Sequence, residues 1–239
     1  MKTLEISSYI GCPNFCSYCP QDILISVYKG KKQMTMDDFQ LILSNTPKDV
    51  RIDFTGFSEI FVHPQGSEFI RYTVLSGYEI VLYTTLVGFK KSDVKILRGL
   101  TFPVIFHQYD GVNLDEFNTK RNIFMNEIHV IHGTTVKISN NNGGVPILSR
   151  AGTVFDIPKK YGTYRCHTGE DSKEFTHNIV VPNGDVYFCC MDYGLKHCIG
   201  NLFTTNFNDL NRKDVIDASY QYDSDTICRK CEKIILDLT

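Results

Sequence analysis

Cys12, Cys16 and Cys19 stand at a C-x3-C-x2-C spacing in the run GCPNFCSYCP, directly after an apolar segment that reads as a strand. Three thiolates on so short a loop can hold three irons of a [4Fe–4S] cluster, leaving the fourth iron open to an outside ligand. The loop's position just past a first strand is where an α/β barrel gathers its chemistry, at the C-terminal strand ends. Two other readings compete. A structural zinc site wants a fourth ligand nearby and usually C-x2-C knuckles, and plain buried thiols want nothing at all.

The chain has 239 residues, 42% hydrophobic and 22% charged, enough to bury a sizeable core as one domain with an appendage or as two small domains. A net charge of −2 and no basic run beyond Lys29–Lys32 argue against a nucleic-acid partner. No run of about 18 apolar residues marks a membrane span, and the N-terminal segment lacks a signal-peptide pattern, so a cytoplasmic protein is expected. In a reducing compartment, nine clustered cysteines are more often metal ligands than disulfides.

Apolar, β-branched runs at Thr3–Ile10, Val50–Phe54, Glu79–Thr84, Pro103–His107 and Ile128–Ile131 read as strands. Between them, Thr35 caps a helical pattern through Leu43, Ser67–Leu75 is helical, Ser92 opens a short helix to Leu97, and Leu114–Arg121 is helical. Alternating strands and helices imply parallel pairing through right-handed crossovers. Five or six such units predict a partial (β/α)6 TIM-like barrel, since a complete one typically needs ~250 residues. The turn cluster Asn140–Gly144 marks the break. The expected division is a barrel over 1–145 and a smaller domain over 146–239, with a β-hairpin around Pro182-Asn183-Gly184 and a last amphipathic stretch over Phe207–Ile216.

With Tyr18 before its last cysteine, the first loop resembles that of the radical S-adenosylmethionine superfamily, in which a C-x3-C-x-aromatic-C loop ligates the cluster. Asp53-Phe54-Thr55-Gly56-Phe57-Ser58-Glu59 follows the second strand and resembles the superfamily's GGE region, with Phe57 and Ser58 where a second glycine and a small residue are usual. The resemblance implies that Gly56, Phe57, Ser58 and Glu59 hold the methionyl amine of S-adenosylmethionine, and that Thr84, Thr85 and Gln108 lie near its ribose. It further implies cleavage of the sulfonium to a 5′-deoxyadenosyl radical that abstracts a substrate hydrogen, and an external electron donor of the flavodoxin or ferredoxin kind.

Cys166, Cys189, Cys228 and Cys231 form a second set: a lone cysteine, a G-x4-C unit from Gly184 and a closing C-x2-C. Four thiolates suit either a tetrahedral zinc or every iron of a second [4Fe–4S] cluster. With Ser149-Arg150-Ala151-Gly152, Cys189-Cys190-Met191-Asp192-Tyr193 and Gly200-Asn201-Leu202 around them, they resemble the abbreviated SPASM or "twitch" extension, which carries one auxiliary cluster. Cys190 and Cys198 are left over and read as buried or incidental thiols.

The resemblance is to the single-auxiliary-cluster dehydrogenases, typified by the aminocyclitol dehydrogenase of butirosin biosynthesis. It implies a small hydroxylated or amino substrate oxidised with the auxiliary cluster as electron acceptor, and Arg150 facing the substrate. Redox-neutral epimerisation or rearrangement, with Cys190 or Cys198 as hydrogen donor, is the competing expectation. Peptide modification ranks lower, because eleven residues before the first ligand leave no room for the usual leader-binding domain. A non-enzymatic iron–sulfur or zinc module is the remaining alternative.

Overall fold

The computed structural model describes residues 1–14, 16–109, 111–137, 147–162, 164–166, 177–221 and 224–236. In chain order the elements are β1 (Thr3–Ile6), α1 (Gln21–Val27), α2 (Met36–Ser44), β2 (Arg51–Phe54), α3 (Gly66–Leu75), β3 (Ile80–Thr84), α4 (Lys91–Leu97), β4 (Thr101–Gln108), α5 (Leu114–Glu127) and β5 (His129–Lys137). After the segment that holds the expected domain boundary, which lies outside the described residues, come β6 (Tyr164–Cys166), β7 (His177–Val180), β8 (Asp185–Tyr187), β9 (Cys198–Asn201), α6 (Arg212–Tyr220) and β10 (Ile234–Leu236).

One eight-stranded sheet runs β5-β4-β3-β2-β1-β7-β8-β9, and β10 pairs with β6 in a separate two-stranded ribbon. β1 to β5 are parallel, each to the next, as the alternating pattern predicts. The sixth parallel strand is β7, and it pairs with β1 rather than extending the sheet beyond β5, with Thr3 opposite His177 and Glu5 opposite Ile179. Five parallel strands therefore precede residue 145 among the described residues, four of them followed by helices, against the five or six units expected, and the later segment closes the other side of β1. β8 and β9 then add antiparallel through the expected hairpin. Gly184 turns that hairpin at φ +83°, where an added Cβ would lie 2.7 Å from Asn201 Oδ1.

Local chemistry explains the helices. Thr35 Oγ1 accepts from the Asp38 amide (3.2 Å) and Asp38 accepts from the Thr35 amide (2.7 Å), closing a capping box at the head of α2. Phe39, Ile42 and Leu43 then fall on one buried face, where Phe39 stacks on Phe69 of α3 at 4.5 Å between ring centroids. α4 begins at Lys91, so Ser92 sits inside its first turn instead of capping it. The capping acceptor is Asp93, which takes the Lys90 amide at 2.6 Å and the Ser67 hydroxyl at 2.8 Å. α1 has no clear amphipathic signal: Leu24 is buried while Ile23, Ile25 and Val27 are exposed. Among the described residues no helix is long and apolar enough to cross a membrane.

The capping box gives a direct expectation. Thr35→Ala leaves one helix-end amide without its partner and should cost about 1 kcal/mol, seen as a lower urea midpoint with an unchanged slope.

Candidate active site

The C-terminal ends of β1 to β4 open onto a cavity of about 320 Å³. Cys12, Cys16 and Cys19 face it from the loop after β1, Gly56 to Glu59 from the loop after β2, Tyr83 to Thr85 from the end of β3, and His107 from β4. The loop after β2 is held by the Ser7 hydroxyl, which accepts the Phe57 amide at 2.7 Å, and by the Gln21 side-chain amide, which donates to the Phe57 carbonyl. Gly56 is irreplaceable in that loop. Its φ is +95°, and a Cβ there would meet Ile179 Cδ1 at 2.4 Å and Ser7 Oγ at 2.8 Å.

Glu59 is buried, and its carboxylate is fully engaged within the protein. Oε1 accepts from Thr84 Oγ1 (2.8 Å) and the Phe61 amide (3.3 Å), while Oε2 accepts from the Thr85 amide (2.7 Å) and Thr85 Oγ1 (2.9 Å). Burial pushes its carboxyl above the usual range, and these four donors act against that rise. Thr84 and Thr85 thus line the cavity while serving Glu59, and Asn14 Nδ2 donates to Thr85 Oγ1 at 2.8 Å.

Tyr18, Gly56, Phe57, Ser58, Glu59, Thr84, Thr85 and Arg150 all line the cavity, as does the cysteine triplet. Gln108 does not. Successive side chains of a strand point to opposite faces, and on β4 it is His107 that turns into the cavity. Burial, with Arg150 nearby, pushes the His107 imidazole down to about 4. Arg150 sits in a run of three left-handed residues, Arg150, Ala151 and Gly152 (φ 52°, 54° and 80°). Ser149 holds that run: its hydroxyl accepts the Gly152 amide at 2.9 Å, and its own amide donates to the Glu232 carboxylate.

Glu5, Asp53, Asn14, Gln21 and Tyr193 also line the cavity without having been singled out as part of it in sequence, and Cys190, a candidate hydrogen donor, lines it too. Glu5 and Asp53 carried a readable signal, each being an acid inside an apolar strand. Glu5 pairs with His177 Nε2 at 2.8 Å, and Asp53 is gripped by Arg51 through Nε (2.7 Å) and Nη2 (2.8 Å). Tyr193 packs against Phe57 with its ring tilted, 4.7 Å between centroids, and its hydroxyl lies 3.7 Å from Cys19 Sγ.

The second cysteine set converges as well. Cys166, Cys189, Cys228 and Cys231 surround a cavity of about 30 Å³, with Phe188, Met191, Ile227 and Ile234 as apolar walls and His177 at its edge. Burial pushes the Cys228 thiol up to about 12 and the Cys231 thiol up to about 11, and in both cases neighbouring cysteines of the set add to the rise. The Met191 amide points at Cys189 Sγ (3.5 Å) and the Lys233 amide at Cys231 Sγ (3.4 Å). Fully buried Arg229 braces the turn from within, donating to the carbonyls of Lys160 (3.1 Å), Gly162 (2.8 Å) and Gln221 (3.0 Å). Among the described residues no three His, Cys, Asp or Glu side chains converge on a single ion position. The four cysteines line one small cavity, and four thiolates suit either a tetrahedral zinc or a cluster in which each takes its own iron.

The larger cavity has room for a cosubstrate beside three thiols, with Glu59, Arg150 and His107 among its lining residues. Four polar atoms of lining residues, Asn14 Oδ1, Gln21 Oε1, Ser58 Oγ and Arg150 Nε, are buried with no partner within the protein. Of the two unassigned cysteines, Cys190 lines this cavity, whereas Cys198 is exposed on β9 with its thiol toward the Gly200 carbonyl.

Residues 166–232 match the family model of the SPASM iron–sulfur cluster-binding domain. The fold is similar to that of BtrN solved with AdoMet and 2-DOIA (TM-score 0.64, 16% identity, 92% of this chain and 85% of that one). It is also similar to anSMEcpe with bound AdoMet (0.57, 13%, 96% and 83%) and to Streptococcus suis SuiB bound to the precursor peptide SuiA (0.54, 12%, 96% and 69%). No curated protein sequence matches the chain.

His107 gives the site a pH signature. Its folded value of about 4 lies below the ordinary 6.5, so the fold favours the neutral ring and the unfolded chain binds the extra proton between those values. This contribution to stability is complete above pH 6.5 and is lost as pH falls toward about 4. Urea midpoints measured across that window should fall less steeply for His107→Gln than for the wild type.

Proposed function

We infer that this chain, a radical S-adenosylmethionine fold closed by a SPASM-type iron–sulfur domain, oxidises a small hydroxylated or amino substrate of the sugar, aminocyclitol or nucleoside kind. In this reading Cys12, Cys16 and Cys19 hold one [4Fe–4S] cluster with S-adenosylmethionine in the larger cavity, and Cys166, Cys189, Cys228 and Cys231 hold a second. When bound, these groups supply a hydrogen-abstracting radical on one side and a one-electron acceptor on the other. The protein's part is to hold the substrate, keep water out and take the heteroatom proton.

The observation that carries the reading is the wall between the two cavities. His177 lines both, and the consecutive residues Cys189 and Cys190 line one each. A substrate radical formed against this wall is one residue's thickness from the four-cysteine site, which suits electron transfer to it. The Glu5–His177 pair at the same wall offers a carboxylate–imidazole acceptor for the substrate proton. Arg150, which lines the larger cavity, is suited to hold the substrate hydroxyl. An external flavodoxin- or ferredoxin-like donor would reduce the first cluster in a cytoplasmic setting.

One observation favours a second reading, redox-neutral epimerisation or rearrangement. Cys190 faces the larger cavity, and its thiol is pushed well above its ordinary range by the neighbouring Cys189 and by burial, so it is held as S–H, the form that can return a hydrogen atom. Cys198 has no such position.

Anaerobic reconstitution followed by turnover of candidate aminocyclitols and sugars in deuterated water tests both. About eight irons per chain, reductant-dependent cleavage of S-adenosylmethionine and a product two electrons more oxidised are expected, at four irons per cubane. Solvent deuterium on carbon at unchanged redox level would replace oxidation by epimerisation. Binding of about four irons or fewer, or no cleavage of S-adenosylmethionine, would sink the two-cluster enzyme altogether.

A further inference from the structure

The segment from Cys189 to Tyr193 serves the smaller cavity at one end and the larger at the other. Cys189 lines the four-cysteine cavity, whereas Tyr193 lines the larger one together with Cys12, Cys16 and Cys19. The turn between them is hydrogen-bonded: the Asp192 amide donates to the Cys189 carbonyl and the Tyr193 amide to the Met191 carbonyl, both at 3.0 Å. The Tyr193 ring is buried in a small apolar cluster with Ile10, Leu24, Phe57 and Ile179, and Cys19 packs against that cluster. Packing therefore sets where the ring stands and leaves its hydroxyl to find a partner.

That partner is a sulfur. Tyr193 Oη lies 3.7 Å from Cys19 Sγ, within hydrogen-bonding reach of an atom as large as sulfur, and Cys19 is the hydroxyl's one hydrogen-bond partner among the described residues. With a free thiol either group could donate. A thiolate that holds an iron has no proton, so there the phenol must be the donor. Hydrogen bonds to cluster sulfurs are one of the levers that set a cluster's reduction potential. The reduced cluster carries one more negative charge than the oxidised one, so an O–H aimed at its sulfur stabilises the reduced form more. Burial of the pair away from water strengthens that preference.

We propose that the Tyr193 hydroxyl donates a hydrogen bond to the iron-bound thiolate of Cys19 and holds the reduction potential of the first cluster above the value it has without that bond. Tyr193 is then a positioning residue that acts through Cys19. Because it lies within the segment 166–232 that matches the iron–sulfur domain, the C-terminal domain tunes the cluster of the N-terminal one. The inference rests on the reading of Cys12, Cys16 and Cys19 as cluster ligands, so the test must separate the two.

The experiment is an anaerobic redox titration of the reconstituted protein followed by electron paramagnetic resonance, with iron content measured on each preparation. The first cluster is identified by the change that S-adenosylmethionine makes in its signal. Tyr193→Phe, which keeps the buried ring, should move the midpoint of that signal to more negative potential and leave the second cluster's midpoint in place. Tyr28→Phe removes a phenol from the same apolar cluster, but the Tyr28 hydroxyl donates to the Lys31 carbonyl at 2.7 Å, so neither midpoint should move. Tyr193→Met fills the space with a flexible apolar side chain and no donor; it should shift the midpoint in the same direction and covers a phenylalanine variant that fails to take up iron. An unmoved midpoint in an iron-loaded Tyr193 variant overturns the proposal, as does an equal shift of both clusters or the same shift in Tyr28→Phe. A wild type with no cluster signal that responds to S-adenosylmethionine overturns the underlying reading of the cysteine loop, and the proposal with it.

Discussion

The two-sided pairing of β1 is the constraint on which the remaining architecture depends. It hydrogen-bonds to β2 on one edge and to β7 on the other, both in parallel, so the strand that leads into the cysteine loop lies inside the sheet rather than at its margin. Four residues, Thr3 to Ile6, are all buried. The pairing with β7 carries the consequence for function, because it brings His177 beside Glu5 and runs directly into the hairpin that ends at Cys189 and Cys190. Without that pairing the four-cysteine cavity would have no fixed relation to the larger one.

Around this centre, polar side chains fix loops that apolar packing alone could not. Glu59 ties the end of β3 to the loop after β2, and Thr85 passes that order to the cysteine loop through Asn14. On the other side, three successive left-handed residues at Arg150 to Gly152 are costly for non-glycine positions, roughly 1–2 kcal/mol each. The run is held by Ser149, whose amide is bonded to Glu232, the residue after Cys231. The loop that carries Arg150 into the larger cavity is therefore anchored on the turn that carries two cysteines of the smaller one. Asp192 does comparable work after Cys190, accepting the Lys196 amide at 3.0 Å and the His197 amide at 2.7 Å.

Much of this was legible in the sequence, for identifiable physical reasons. Strands β1 to β5 are buried and parallel, so they print as apolar, β-branched runs, and the Thr35–Asp38 capping box announces α2 outright. Both cysteine sets stand out in the sequence because metal chemistry favours particular residue types and spacings, and the structure gathers each set around a cavity. What escaped was set by tertiary context. The parallel pairing of β7 to β1 leaves no local mark, and Asp93 displaced Ser92 as the cap of α4 because a carboxylate at the third helical position reaches back to the Lys90 amide. On β4 it is His107, one residue before Gln108, that lines the cavity, and on a strand a single residue is enough to exchange one face for the other. Glu59 stood out in the sequence but its partners did not, since nothing there shows that Thr84, Thr85 and the Phe61 amide would all reach it.

The contest between oxidation and epimerisation comes down to one peptide unit. Cys189 and Cys190 are adjacent, so their side chains diverge, one into the smaller cavity and the other into the larger. An electron leaving a substrate radical and a hydrogen atom arriving at it would therefore cross the same short stretch of wall from opposite directions. The two outcomes differ in where the proton goes. Oxidation would need an acceptor for the heteroatom proton, for which Glu5 and His177 offer a hydrogen-bonded pair; epimerisation would need an S–H aimed at carbon, and the Cys190 thiol is pushed well above its ordinary range by the neighbouring Cys189 and by burial. In the proposed reading the bound substrate would decide between them, by turning either its heteroatom toward Glu5 and His177 or its radical carbon toward Cys190.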